Sequence, residues 1–185
     1  MCLVCTIRSN NKRIGMFYSM SEPPSVDAVP DRSNEVLLDE FYAAFARRDG
    51  AGMARCYAPG AAFSDPVFVG LRGEQLGGMW RMLTSQAHDL AVEVLSRDAD
   101  DVAGTGHWVA RYTFTQTGRP VVNEVRSQFH FAGGLIIDQV DDFDFYRWSR
   151  QALGWRGQLL GWTPMLRGSV QRRARSGLGT FLGAT

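Results

Sequence analysis

Residues Val121–Trp148 read VVNEVRSQFHFAGGLIIDQVDDFDFYRW. Ala132-Gly133-Gly134 is the kind of glycine pair that closes a hairpin between two strands. Alternation divides each strand into two faces. Upstream, Val121, Val125, Ser127, Phe129 and Phe131 share one parity, and Glu124, Arg126, Gln128 and His130 share the other. Downstream, Leu135, Ile137, Asp141, Phe143 and Phe145 share a parity, and the remaining acids mostly face away. Asp141 therefore falls on the apolar face. A carboxylate there is costly unless it is partnered or useful, so Asp141 is the first candidate for acid/base chemistry.

Working outward, the other strands are expected at about 90–97 and 104–117, with Gly118-Arg119-Pro120 as the turn into the quoted stretch. Before them, Ser33 or Asn34 reads as the N-cap of a helix that carries Val36, Leu37, Phe41, Ala44 and Phe45 at helical spacing. Its acids come first and its arginines last, as the helix dipole favours. Asp49-Gly50 ends it. A short helix is expected at 51–57, an extended AAFSDPVFVG segment at 61–70, and a third helix at 74–85. Pro66 keeps Asp65 out of the α region. Helices followed by a run of antiparallel strands make an α+β domain. A cone-shaped, curved antiparallel sheet would wrap around the long first helix, with a hydrophobic pocket between them.

The 185 residues fit one domain with extensions, and the composition is that of an ordinary globular protein. A net charge of +1 gives no field that would select nucleic acid. Residues 1–32, rich in Pro, Ser and Asp, read as a disordered N-terminal arm, within which Met16 or Met20 is an alternative start. The lone Cys2-x-x-Cys5 pair lacks a second ligand pair, and three scattered histidines lack metal spacing, so no metal or cofactor is expected. With no apolar h-region and no run of about 20 apolar residues, a cytoplasmic protein is expected.

Residues 149–185 form a basic, Trp-containing helical extension. From Phe145 onward there are seven arginines and no Asp or Glu. Trp148, Trp155 and Trp162 recur every seven residues, and Thr163-Pro164 reads as N-cap and N1 of a last helix. The extension is expected to brace the body. A membrane-surface contact is the less favoured reading.

Four segments in this order, LLDEFYAAFARRD, AAFSDPVFVGLRG, LAVEVL and FHFAGGLIIDQVDDFDFYRW, resemble the nuclear transport factor 2-like superfamily, in particular its SnoaL-like and ketosteroid isomerase-like members. The likeness covers 33–148. It implies an α+β barrel, which the C-terminal helical extension follows, and, as is common there, a homodimer. In ketosteroid isomerases the acid of the D-P pair is the general base, which implies that role for Asp65. The isomerases' tyrosine falls at Phe41, with Tyr42 next to it, and their protonated carboxylic acid falls at Ser127. Neither oxyanion donor is therefore in its place. In SnoaL-like cyclases and the limonene epoxide hydrolase group, the acid/base carboxylate after the hairpin glycine corresponds to Asp141.

The expected catalytic residues are thus Asp65 and Asp141. Substrate-binding residues are expected at Phe41, Tyr42, Tyr57 and Trp80, and across the sheet at Trp108, Tyr112, Ser127 and Phe129. The function implied is that of an isomerase, cyclase or hydrolase acting without a cofactor on a small apolar polyketide, terpenoid or steroid-like molecule. The alternative is a non-catalytic lipophilic-ligand carrier or dimerising scaffold. Asp65 also fits a plain turn carboxylate that bonds nearby backbone N–H groups, and Asp141 a structural hydrogen bond, for instance to Tyr57. His107 is expected to point outward.

Overall fold

The computed structural model describes residues 33–183. The expected arm at 1–32 and the Cys2/Cys5 pair lie outside these residues. The elements are α1 (Asn34–Ala46), α2 (Gly50–Arg55), β1 (Tyr57–Ser64), β2 (Leu71–Arg72), α3 (Glu74–Gln86), β3 (Ala91–Ala99), β4 (Ala103–Phe114), β5 (Arg119–Ala132), β6 (Leu135–Asp142), α4 (Phe145–Leu153), α5 (Trp155–Leu160) and α6 (Pro164–Gly183). Local chemistry sets the helix starts. Ser33 accepts from the Val36 N–H and caps α1, Asp49 accepts from the Gly52 N–H and caps α2, and Thr163 accepts from the Leu166 N–H ahead of α6.

The α+β architecture is as expected: helices pack on one curved, six-stranded sheet of order β2-β1-β6-β5-β4-β3. Two details refine it. The sheet is open rather than closed into a barrel, and β1 runs parallel to β6, while every other pair is antiparallel. The β1–β6 pairing joins segments more than seventy residues apart. No local alternation could reveal it.

Helix α1 forms the centre of the core. The Phe41 ring meets Tyr57 of β1, Trp80 of α3 and Phe129 of β5, with centroids 5.7–5.9 Å apart and edge-to-face geometry. Such pairs contribute about 0.5–1.5 kcal/mol each beyond their buried area.

In β5 the expected alternation holds from Val121 to Ala132. In β6 it does not. His130 pairs with Asp138, but Phe131 pairs with Ile136, so Ile137 is the extra residue of a β-bulge. Ile136 is fully buried and Ile137 is 41% exposed. Beyond the bulge, Gln139 and Asp141 point inward. The strand ends at Asp142, not Phe145, because the Asp144 side chain caps α4 by accepting from the Arg147 N–H. The expected boundary at 148 thus falls inside a helix.

The extension folds back on the body. Leu178 is buried in the main core, and Leu182 lies against Gly78 of α3. Gln171 Nε2 donates to the Pro66 carbonyl at 3.0 Å, and Arg175 donates to the Val69 carbonyl at 2.6 Å. Glycines break the helical spacing of the tryptophans, most sharply Gly154, with a φ of 61°.

Candidate active site

The parallel β1–β6 pair brings the two candidate acids together. Ser64 pairs with Val140, so Asp65, the next residue, follows at the level of Asp141. The hydrogen bonds of the two carboxyls differ.

Asp65 is half-buried in the turn after β1. Its Oδ1 accepts from the Val67 N–H at 2.6 Å and from the Phe68 N–H, and its own N–H donates to the Phe68 carbonyl. This is the turn geometry that Asp favours. Burial pushes its carboxyl up to about 7, against the two N–H donors, and the charge of Asp141 adds to the rise.

Asp141 is 5% exposed and is held by side chains. Gln139 donates through Nε2 to Asp141 Oδ1 at 2.8 Å. Ser127, its partner in the β5–β6 register, turns its hydroxyl to the carboxyl, and the Trp108 Nε1–H donates to that hydroxyl at 2.9 Å. The amide oxygen of Gln139 accepts from the Tyr57 hydroxyl, which in turn accepts from Trp80 Nε1–H at 2.9 Å. One buried chain therefore runs Trp80–Tyr57–Gln139–Asp141, and the Trp108–Ser127 pair lies beside its carboxyl end. Asp141 reaches Tyr57 through Gln139. Burial pushes the Asp141 carboxyl up to about 6, against the opposing bonds from Gln139 and Ser127.

Tyr42 breaks the pattern. Its hydroxyl is buried near Ser127 and Asp141 and makes no well-formed hydrogen bond among the described residues, although the Ser127 hydroxyl is close enough to draw its pKa down. Desolvation and the Asp141 charge push this phenol far up, which keeps it protonated and a donor. The hydroxyl lies over Gly106, where a Cβ would come within 1.9 Å of it. An unpaired buried polar group carries a cost that needs a reason.

The other expected binding residues are core residues of the same interior. Phe41, Trp80, Trp108 and Phe129 are buried and pack ring on ring. Tyr112 is half-buried beside Asp65, and its hydroxyl accepts from Trp148 Nε1–H at 2.9 Å. Burial, with a smaller push from the Asp65 charge, raises that phenol to about 12. His107 points outward as expected and pairs with Glu124 at 2.9 Å. Arg126 also faces away from Asp141's side. The two open hollows described on the molecule lie elsewhere, one around Glu124, Arg126 and Arg147, the other around Arg119, Arg150 and Trp155. Among the described residues, no three of His, Cys, Asp and Glu gather as metal ligands would.

Sequence reasoning missed Gln139 and Gly106. Gln139 shares the parity of Asp141, so an inward amide was readable as its partner. Gly106 carries no local signal, because the ring it accommodates comes from α1.

The curved α+β sheet around a helix, with two acids at the β1–β6 edge, defines a nuclear transport factor 2-like protein. The profile of the SnoaL-like domain matches residues 38–139, more than half of the chain, and the chain belongs to that family. Solved structures agree on the fold. A nuclear transport factor 2-like protein of unknown function from Burkholderia pseudomallei is 18% identical, with a TM-score of 0.56 over 64% of this chain and 96% of its own. A hypothetical protein with a ketosteroid isomerase-like fold from Catenulispora acidiphila, in complex with trimethylamine, is 15% identical, with a TM-score of 0.58 over 69% and 97%. An LEH-like epoxide hydrolase from M. tuberculosis is 18% identical, with a TM-score of 0.54 over 66% of this chain and 90% of its own. No curated protein matches the chain.

Proposed function

We propose that this SnoaL-like protein is an enzyme that moves a proton on, or adds water to, a small apolar molecule of polyketide, terpenoid or steroid-like character. The observation that carries this reading is the burial of the Asp141 carboxyl and the Tyr42 hydroxyl in one interior, near enough for the Asp141 charge to act on the phenol. A carboxyl held only by side chains shares an apolar interior with a phenol that makes no well-formed hydrogen bond among the described residues. Asp141 accepts a proton from the substrate or from a water, and Asp65, whose carboxyl burial also raises, returns one. The Tyr42 hydroxyl donates to the oxygen on which negative charge develops. No cofactor takes part in this scheme. Asp65, Tyr112 and Phe143 are only half-buried and mark the approach.

Two observations favour a second reading, a non-catalytic carrier of lipophilic ligands. Asp65 is satisfied by backbone, and the rings around Phe41 are closely packed. The test uses a panel of small apolar ketones and epoxides in deuterated water. Deuterium uptake or ring opening by the wild type, lost in Asp141→Asn, supports the enzyme. Equal behaviour of both proteins, with retained binding of a lipophilic fluorescent probe, supports the carrier.

A further inference from the structure

The three tryptophans at seven-residue spacing have different fates. Trp148 is buried, whereas Trp155 and Trp162 are 66% and 73% exposed. Leu159 and Met165, from the same eleven residues 155–165, are 61% and 71% exposed. A single exposed apolar side chain is ordinary, but four large ones together mark a contact surface. These four form one ridge. Trp155 and Leu159 lie one turn apart on α5. The Trp162 indole N–H donates to the Leu159 carbonyl at 3.1 Å, which pins that ring beside α5, and Met165 opens α6 just beyond.

The ridge is bordered by positive charge. The Arg156 guanidinium lies over the Trp155 ring at 5.4 Å. Arg119, Arg147 and Arg150 line an open hollow of about 580 Å³ that has Trp155 as another wall. In it Arg119 donates through Nε to the Gln151 carbonyl, Arg150 lies over the Tyr146 ring, and Arg147 is 3.6 Å from Glu124. Only the last has a carboxylate partner among these contacts. No Asp or Glu occurs from Phe145 to the end of the chain. The rest of α6 braces the core through Leu178, so the ridge is where the extension's large apolar side chains face out.

We propose that α5 and the start of α6 form a docking surface for an anionic phospholipid bilayer. Trp155, Leu159, Trp162 and Met165 enter the boundary between headgroups and acyl chains, and Arg119, Arg147, Arg150 and Arg156 lie against lipid phosphates. Charge complementarity selects this occupant: a surface bordered by Arg119, Arg150 and Arg156, with Glu124 an acid only at its Arg147 margin, suits an anion. The aromatic-plus-basic composition suits an interface where one end of each side chain is apolar and the other wet. The contact is peripheral, since no helix among the described residues is long and apolar enough to cross a membrane.

The test is sedimentation of the full chain with vesicles of phosphatidylcholine alone, or with about one third phosphatidylglycerol, at about 0.1 and about 0.5 M salt. The protein should sediment with the anionic vesicles only, less so at high salt, with a blue shift of tryptophan emission. Trp155→Gln with Trp162→Gln should weaken binding about tenfold or more. Arg150→Gln and Arg156→Gln should each weaken it roughly fivefold. Melting temperatures should stay unchanged, because these side chains are exposed. No sedimentation with anionic vesicles, or equal sedimentation of wild type and the double Trp variant, overturns the proposal. So does a dimer in free solution that the double variant dissolves, which would give the ridge to a second copy.

Discussion

Gly106 leaves room for the Tyr42 hydroxyl: a Cβ on residue 106 would stand 1.9 Å from that oxygen and 3.0 Å from the Tyr42 Cζ. The glycine on β4 thus fixes how deep the α1 phenol reaches toward Ser127 and Asp141. Gly106→Ala should destabilise the fold by about 1–3 kcal/mol through overpacking. Tyr42→Phe removes both the clashing oxygen and an unpaired polar group, so in that background the same substitution should cost clearly less. Urea unfolding of the four proteins in a double-mutant cycle measures the coupling. Additive effects would mean that the two groups do not meet.

A second expectation concerns the isomerase reaction. The resemblance puts Phe41 and Ser127 where ketosteroid isomerases carry their oxyanion donors. The structure packs the Phe41 ring among Tyr57, Trp80 and Phe129 and directs Ser127 to Trp108 and Asp141. Tyr42 is a single donor, and loss of one donor costs about 10²–10³ in rate. Assay of a 5-ene-3-oxosteroid by the conjugated product's absorbance should show at most a trace of turnover. A rate comparable to true isomerases would mean that Tyr42 serves alone.

The Tyr57 hydroxyl is the hinge of the buried chain, as donor to Gln139 and acceptor from Trp80. Tyr57→Phe leaves two buried partners unsatisfied, at about 1–3 kcal/mol per group. Loss of stability in urea with an unchanged m-value is expected. A neutral result would mean that water replaces the hydroxyl.

Leu178 is 2% exposed at the contact between the extension and the core. Leu178→Ala should cost about 2–5 kcal/mol and lower the melting temperature. The same helix holds the turn after Asp65 through Gln171 and Arg175. Amide exchange at Val67 and Phe68 should therefore quicken in the variant. Unchanged melting would show that the tail is not a brace.

Much of this was legible in the sequence, and the exceptions share a cause. The alternation of Val121–Phe131 is local and survives folding intact. The capping residues Ser33 and Thr163 act within one turn, so they too could be read directly. The inward place of Asp141 was readable, but the bulge at Ile137 was not, because it depends on how β6 meets both β5 and β1. The neighbourhood of Asp65 and Asp141 depends on a parallel pairing across the whole domain, which neither segment encodes alone. The tryptophan spacing was readable only in part. The seven-residue period fits a helix, and the break at Gly154 separates buried Trp148 from exposed Trp155 and Trp162.

Asp141→Asn tests the energetic side of the central claim. A carboxyl raised from 3.8 to about 6 favours the folded state most when protonated. Its contribution is full below about 3.8 and is lost as pH rises through about 6, by about 3 kcal/mol at most. Asn keeps an acceptor for Gln139 and carries no charge. The variant should be as stable as the wild type or more so at pH 7, with a flatter stability curve between pH 4 and 7. Clear destabilisation at pH 7 would mark Asp141 as an ionised structural acceptor.

The most direct measurement is the titration of the Asp141 carboxyl carbon by NMR, with Asp65→Asn as a second sample to separate the coupled pair. The account predicts an Asp141 midpoint near 6 in the wild type. A midpoint at or below the ordinary 3.8 would contradict it.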